Sequence, residues 1–232
     1  MAERSKSRGI LYGVGVGPGD PELMTLKAVR VIRACGCFAV PGKSREESVA
    51  YQIALGAVPE LAQKEFLVIE MPMTKDAAVL AGKHQEGAQR LIKVLEQGRD
   101  VAFLTLGDPT VYATYFYLHR LVEQAGFQTE IISGIPSFCA AAAALDLSLG
   151  EKEQQIHIIP SSYDVTEAME LPGTKVFMKT GKKMKELKEK LMQSGGEIHM
   201  AERCTMEGEK IYHGAEAIPD DAGYYSIVIL KS

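Results

Sequence analysis

The chain has 232 residues, 46% of them hydrophobic and 24% charged, with a net charge of −4. This is the composition of a soluble globular protein, sized for one large domain or two ordinary ones. The acidic balance gives no electrostatic footing for nucleic acid, no apolar run is long enough to cross a bilayer, and the polar residues 1–8 precede no signal-peptide core, so a cytoplasmic protein is expected.

The first half alternates strand and helix. Residues 9–15 read as a strand and 21–34 as a helix with Leu23, Leu26, Val29 and Ile32 on a broad apolar face. A strand over 35–40 ends at Pro41-Gly42, a helix covers 48–55, and a strand over 66–71 ends at Pro72. An amphipathic helix over 77–97 stops at Gly98. The unbroken apolar run 101–106 has the pattern of a strand buried on both faces. A helix over 110–125 ends at Gly126, a short strand covers 129–133, and 136–145 is an alanine-rich helix able to approach a sheet or a ligand closely. Such β-α repetition predicts a mostly parallel sheet with helices.

A polar stretch, 146–155, then changes the composition and marks a domain boundary, giving domains of 1–145 and 146–232. Strands are expected over 156–160, 175–179, 197–204, 210–213 and 224–230, with one helix at 182–193. Strands that follow one another without a helix must pair antiparallel, so the second domain is a mixed α/β sheet.

Two glycine-acid turns carry the functional signal. Gly15-Val-Gly17-Pro18-Gly19-Asp20 and Leu106-Gly107-Asp108-Pro109 each join an apolar strand to a helix, where open α/β sheets bind ligands. The first misses the dinucleotide pattern: in either register the third glycine falls on Pro18 or Asp20. Helix N-termini attract anions, yet an aspartate here repels a pyrophosphate and favours an amine or a sulfonium. Asp20 also suits a cap for a helix opened by Pro21. Asp108 is set in a tight turn by Gly107 and Pro109.

Hydrolase elbows, zinc-protease and phosphate-loop motifs are absent from the sequence, and the five histidines are scattered. Cys35 and Cys37, two apart in an apolar strand, share a face; without histidines at ligand spacing they read as reduced thiols, as do Cys139 and Cys204, and no metal site is expected. What remains suits an enzyme that positions a reagent carrying its own reactivity.

Val14-Gly15-Val16-Gly17-Pro18-Gly19-Asp20 followed by Leu23–Ala28 resembles the opening of the tetrapyrrole methylase family, S-adenosyl-L-methionine-dependent methyltransferases of the cobalamin and sirohaem pathways. Leu106–Pro109, Gly134-Ile135-Pro136-Ser137 and Glu202-Arg203-Cys204-Thr205 match later motifs in order, over nearly the whole chain. Gly19–Leu23, Gly107–Tyr112 and Glu202–Thr205 are most similar to the branch that methylates C20 of precorrin-2 or cobalt-factor II.

The resemblance implies two α/β domains with a ligand cleft between them and a homodimer. It implies S-adenosyl-L-methionine as methyl donor and S-adenosyl-L-homocysteine as product. Pro18 would border the donor; Leu106, Gly107, Asp108 and Val111 would contact it; Pro136 and Ser137 would flank it; Met178 and Cys204 would cradle its adenosine. The two glycine-acid turns would then be opposite walls of that site. Pro41 replaces an aspartate of sirohaem-branch relatives, and Pro136 replaces a hydroxyl residue, so neither function carries over. No catalytic side chain is assigned. Tyr112 is a candidate for the proton that must leave C20, against packing beside Tyr115 and Phe116. Lys43–Arg45, or Lys182, Lys183 and Lys185, would meet the acidic arms of the tetrapyrrole substrate. A nicotinamide-dependent oxidoreductase would need an acid near the end of the second strand, and 35–43 contains none.

Overall fold

A computed structural model describes residues 8–72, 74, 76–161 and 164–231; of the polar start, only Arg8 is among them. Contacts divide the chain into two units, with the boundary after Pro136.

The first unit is built from β1 (Leu11–Gly15), α1 (Leu26–Ala34), β2 (Cys37–Pro41), α2 (Val49–Ala57), β3 (Glu65–Ile69), α3 (Ala77–Leu95), β4 (Val101–Thr105), α4 (Tyr115–Gln124) and β5 (Thr129–Ile132). The strands form one parallel sheet in the order β3-β2-β4-β1-β5. Helices α1 and α2 cover one face, around Ile32, Phe38, Tyr51 and Leu104. Helices α3 and α4 cover the other, around Leu91, Phe103, Tyr115 and Leu118. All five residues of β4 are buried, as its unbroken apolar run predicts. The end of α1 is closed by Lys64, whose Nζ donates to the carbonyls of Ile32, Arg33 and Cys35 at 2.9, 2.7 and 2.5 Å.

Three expectations are corrected in this unit. The helix expected over 21–34 is a 3₁₀ turn, Pro21–Leu23, and then α1. Met24 and Thr25 are extended between them, and the Thr25 hydroxyl caps α1 by accepting from Ala28 N–H at 3.1 Å. The helix expected from 110 begins only at Tyr115, because the Asp108 carboxylate takes the Thr110 N–H and Tyr112 is left-handed at φ 49°. Cys35 and Cys37 do not share a face. Cys35 caps the end of α1 and packs with α1 and α2, whereas Cys37 opens β2 on the α3–α4 side.

The second unit contains α5 (Ser137–Ala144), β6 (Ile156–Pro160), α6 (Thr166–Met169), β7 (Thr174–Met178), α7 (Met184–Leu191), β8 (Glu197–Glu202), β9 (Lys210–His213) and β10 (Ser226–Lys231). Its sheet order is β6-β7-β10-β8-β9, with β6 and β7 parallel and every other pair antiparallel. This is the mixed sheet expected from consecutive strands. Helix α7 buries Met184, Leu187 and Leu191 against Phe177, Met200 and Val228. The alanine helix α5 lies against β8 and β10, with Ala140, Ala141 and Ala142 buried. Its lack of side-chain bulk therefore serves close packing on a sheet.

Candidate functional site

The carboxyl ends of β1, β4 and β5 meet in a knot of main chain. α1 leaves β1 on one face of the sheet and α4 leaves β4 on the other, the arrangement that opens a ligand crevice at neighbouring strand ends. Beyond the parallel ladder, Gly17 and Gly107 form an antiparallel bridge: Gly107 N–H donates to Gly17 O at 2.8 Å, and Gly17 N–H to Gly107 O at 3.2 Å. The two glycine-acid turns are therefore bonded neighbours, which corrects the expectation of opposite walls.

Glycine is required here by contact as well as by dihedral angle. A Cβ on Gly15 would lie 2.6 Å from Gly134 N and 2.7 Å from Gly107 O, and one on Gly134 would lie 2.2 Å from Gly107 O. Gly17 and Gly107 are left-handed at φ 78° and 71°. Three loops thus approach one another through peptide groups alone.

Asp108 ties this knot. Its carboxylate is buried; Oδ1 accepts from Thr110 N–H at 2.7 Å and from the Thr110 hydroxyl at 2.5 Å, and Oδ2 accepts from Gly134 N–H at 2.9 Å. The carboxylate thereby clasps the loop after β4 to the loop after β5. Thr110 and Gly134 were not singled out from the sequence for this role. The Asp-x-Thr spacing of an Asx turn was the available sign of the first. Asp20 takes its capping role: Oδ1 accepts from Glu22 N–H at 2.8 Å at the start of the 3₁₀ turn.

Around the knot, Pro18 is buried while Leu106, Val111 and Pro136 are half-buried at its rim. In the second unit, Met178 ends β7 and Cys204 follows β8; Met178 and Ala201 both pair with Ile227 of β10, so these two strand ends lie at the same edge of the sheet. Ser137 opens α5. Met178 O accepts from the Ser161 N–H and hydroxyl at 2.8 and 2.9 Å. Burial, with Glu209 nearby, pushes the Cys204 thiol up to about 12, so it remains a neutral, apolar contact at physiological pH.

Left-handed non-glycine residues stand beside these positions. Tyr112 follows Val111 at φ 49°, Lys179 follows Met178 at 58°, and Arg203 and Thr205 flank Cys204 at 53° and 61°. Each such conformation costs on the order of 1–2 kcal/mol, and strain of this kind gathers at functional sites. Tyr112 is 44% exposed and precedes α4, whereas Tyr115, within α4, meets Phe116 edge-on at 6.2 Å.

Of the cations considered for acidic arms, Lys43 is exposed, whereas Arg45 is held over the Phe66 ring at 4.6 Å and bonded to Glu46 at 2.7 Å. Lys182 and Lys185 are exposed, and Lys183 pairs with Glu186 at 3.8 Å. Among the described residues no group of three or more His, Cys, Asp or Glu is arranged to hold a metal, and no helix is long and apolar enough to cross a membrane.

Comparison with known proteins places this geometry. A family model for the Tetrapyrrole (Corrin/Porphyrin) Methylases matches residues 10–218. The probable cobalt-precorrin-2 C(20)-methyltransferase of Methanocaldococcus jannaschii is 37% identical over 95% of each chain. The precorrin-2 C(20)-methyltransferase of a Sinorhizobium species is 30% identical, over 96% of this chain and 95% of its own. A solved uroporphyrin-III C-methyl transferase from Thermus thermophilus, complexed with S-adenyl homocysteine, superposes with a TM-score of 0.71 over 97% of this chain and 98% of its own; at 19% identity that likeness speaks for the fold. The chain belongs to the tetrapyrrole methylase family.

Proposed function

We propose that this chain transfers a methyl group from S-adenosyl-L-methionine to C20 of precorrin-2 or cobalt-factor II in cobalamin biosynthesis, releasing S-adenosyl-L-homocysteine, and that it serves the oxygen-independent, cobalt-containing branch. The observation that carries this reading is 37% and 30% identity, over at least 95% of both chains, with relatives named for C20 methylation. The glycine knot fits the donor: it offers peptide groups and small residues, and the buried Asp108 carboxylate disfavours a phosphate-bearing ligand. When bound, the donor supplies a methyl group on a sulfonium, so the protein needs alignment more than an activated nucleophile.

We further propose that the donor contacts are Pro18, Leu106, Gly107, Asp108, Val111 and Pro136 in the first unit, and Ser137, Met178 and Cys204 in the second. The knot keeps Leu106, Gly107 and Pro136 in fixed relation, and Asp108 meets the donor through its main chain while its carboxylate holds the two loops together. The working form is proposed to be a cytoplasmic homodimer.

The deciding assay is product mass and methyl position after incubation with precorrin-2, with and without cobalt. One added methyl at C20, formed faster on the cobalt-bearing acceptor, is expected. A methyl at another position, or none, refutes the reading.

A further inference from the structure

Methylation at C20 ends with loss of the proton that C20 carries, and apart from Tyr112 no residue described above is a candidate to accept it. Pro41, which closes β2, has no group to do so. We propose that His84 of α3 is the base that takes the C20 proton, an inference that rests on the C20 reading above.

The position of His84 follows from the packing of α3. Gly9 N–H, just ahead of β1, donates to Leu95 O at 2.9 Å, so the last turn of α3 lies at the amino edge of the sheet. His84 stands eleven residues back along the helix, about 16 Å at 1.5 Å per residue. Gly9 to the end of β1 at Gly15 spans about 20 Å, and Gly87, about one turn nearer the helix end than His84, packs on Ile69, the last residue of β3. His84 is therefore level with the carboxyl ends of the strands, where the glycine knot lies. Two contacts agree with this. Its neighbour Lys83 bonds Glu70, the residue after β3, at 2.7 Å. Its ring stacks on Tyr117, in the first turn of α4 after the Asp108 loop, with centroids 4.5 Å apart and planes 8° from parallel.

The imidazole has the state a base needs. His84 is 9% exposed and occupies the apolar row of α3 with Gly87, Ala88, Leu91 and Leu95. Thr105, the last residue of β4, directs its side chain to the same face as Phe103, and its hydroxyl is buried without a partner. A buried hydroxyl without a partner at this end of the sheet is unusual; a ligand with polar edges would satisfy it. Burial alone lowers the pKa of His84 below the ordinary histidine value, which keeps the ring neutral near pH 7. Around it, Lys83 is paired with Glu70 and Glu86, α4 presents the Tyr117 ring, and β4 ends in the uncharged Thr105.

The step balances. C20 forms its bond to the incoming methyl with an electron pair of the macrocycle, and the sulfonium becomes a neutral thioether. The C20–H pair then returns to the macrocycle while the proton passes to a ring nitrogen of His84. The positive charge that arrived as sulfonium leaves as imidazolium, and no oxidant or reductant is needed.

Single-turnover formation of the deprotonated C20-methyl product from precorrin-2 and cobalt-factor II, measured across pH in the wild type and in His84→Gln, tests this. The variant should lose about a hundredfold or more in rate, the usual weight of a general base, with donor affinity by calorimetry unchanged. The wild-type rate should fall on the acid side of neutrality, and that limb should vanish in the variant. A variant with the wild-type rate and the same acid limb overturns the proposal. If the variant does not fold, a wild-type profile with no acid limb overturns it as well. A wild type that methylates C20 of neither acceptor removes the C20 reading and this proposal together, a result distinct from an active wild type with an indifferent variant.

Discussion

Replacing Asp108 by asparagine separates a clasp from a counter-ion. The carboxylate accepts three hydrogen bonds, two on Oδ1 from Thr110 and one on Oδ2 from Gly134 N–H. An amide has one acceptor oxygen. With that oxygen toward Thr110, its NH₂ group faces the Gly134 N–H, donor against donor. One charge-assisted bond is lost, worth about 1.5–3 kcal/mol, and a buried donor is left unpaired. For a chain of this size, 2 kcal/mol corresponds to about 4–8 °C in Tm. Urea unfolding and calorimetry with S-adenosyl-L-methionine should therefore show Asp108→Asn losing stability and donor affinity together. Thr110→Val, which removes one of the two Thr110 donors, should lose less of each, and the double variant should lose less than the sum. A direct bond from the carboxylate to the donor's amine predicts otherwise: affinity falls while the unfolding free energy stays at the wild-type value. That outcome would refute the clasp.

Other consequences are open to simple measurement. Gly134→Ala puts a Cβ 2.2 Å from Gly107 O and should abolish donor binding, whereas Gly82→Ala, in open space on α3, should raise stability by up to about 1 kcal/mol; equal effects in calorimetry and urea melts would count against the knot. Lys64→Met leaves three carbonyls at the end of α1 without their ammonium and should cost about 1–3 kcal/mol, seen as a lower urea midpoint. Burial pushes the Cys35 and Cys204 thiols up to about 12 and Cys37 to about 11. An unfolded thiol ionises near pH 8.5, so the unfolded state releases protons first. Their contribution to stability is complete below that value and fades as pH rises toward 11–12, by up to about 1.4 kcal/mol per pH unit for each thiol. Urea midpoints that do not fall between pH 8 and 10 would contradict this.

The fold was largely legible because its central strands are buried on both faces. Residues 101–106 read as one apolar run, and the structure places Val101–Thr105 in the middle of the parallel sheet. Where side chains compete with helical hydrogen bonds, local pattern misled. Tyr112 and Ala113 look helical in sequence, but the Asp108 carboxylate claims the Thr110 N–H and delays α4 to Tyr115. The 3₁₀ turn before α1 was lost for a similar reason, since the Thr25 hydroxyl starts a new helix where periodicity continues unbroken.

The glycine turns were expected to form a binding region, while the way they join stayed hidden. Nothing in Gly134 says that its N–H will reach a carboxylate 26 residues earlier in the chain. His84 was passed over as one of five scattered histidines. Its sign was a titratable group in an otherwise apolar helical row, and that sign acquires meaning only once α3 is placed against the strand ends.

The cradle of Gly15, Gly107 and Gly134 has an evolutionary consequence. A surface made of peptide groups offers selection no side chains to adjust, and at Gly15 and Gly134 even a single added methyl collides with the neighbouring main chain. Such a floor is inherited whole or lost. Any drift toward a new acceptor must then be written in the rim, at residues such as Tyr112 and Lys43 whose side chains are exposed. With the donor bound as proposed, one end of the chemistry is frozen by geometry, and only the other is left to vary.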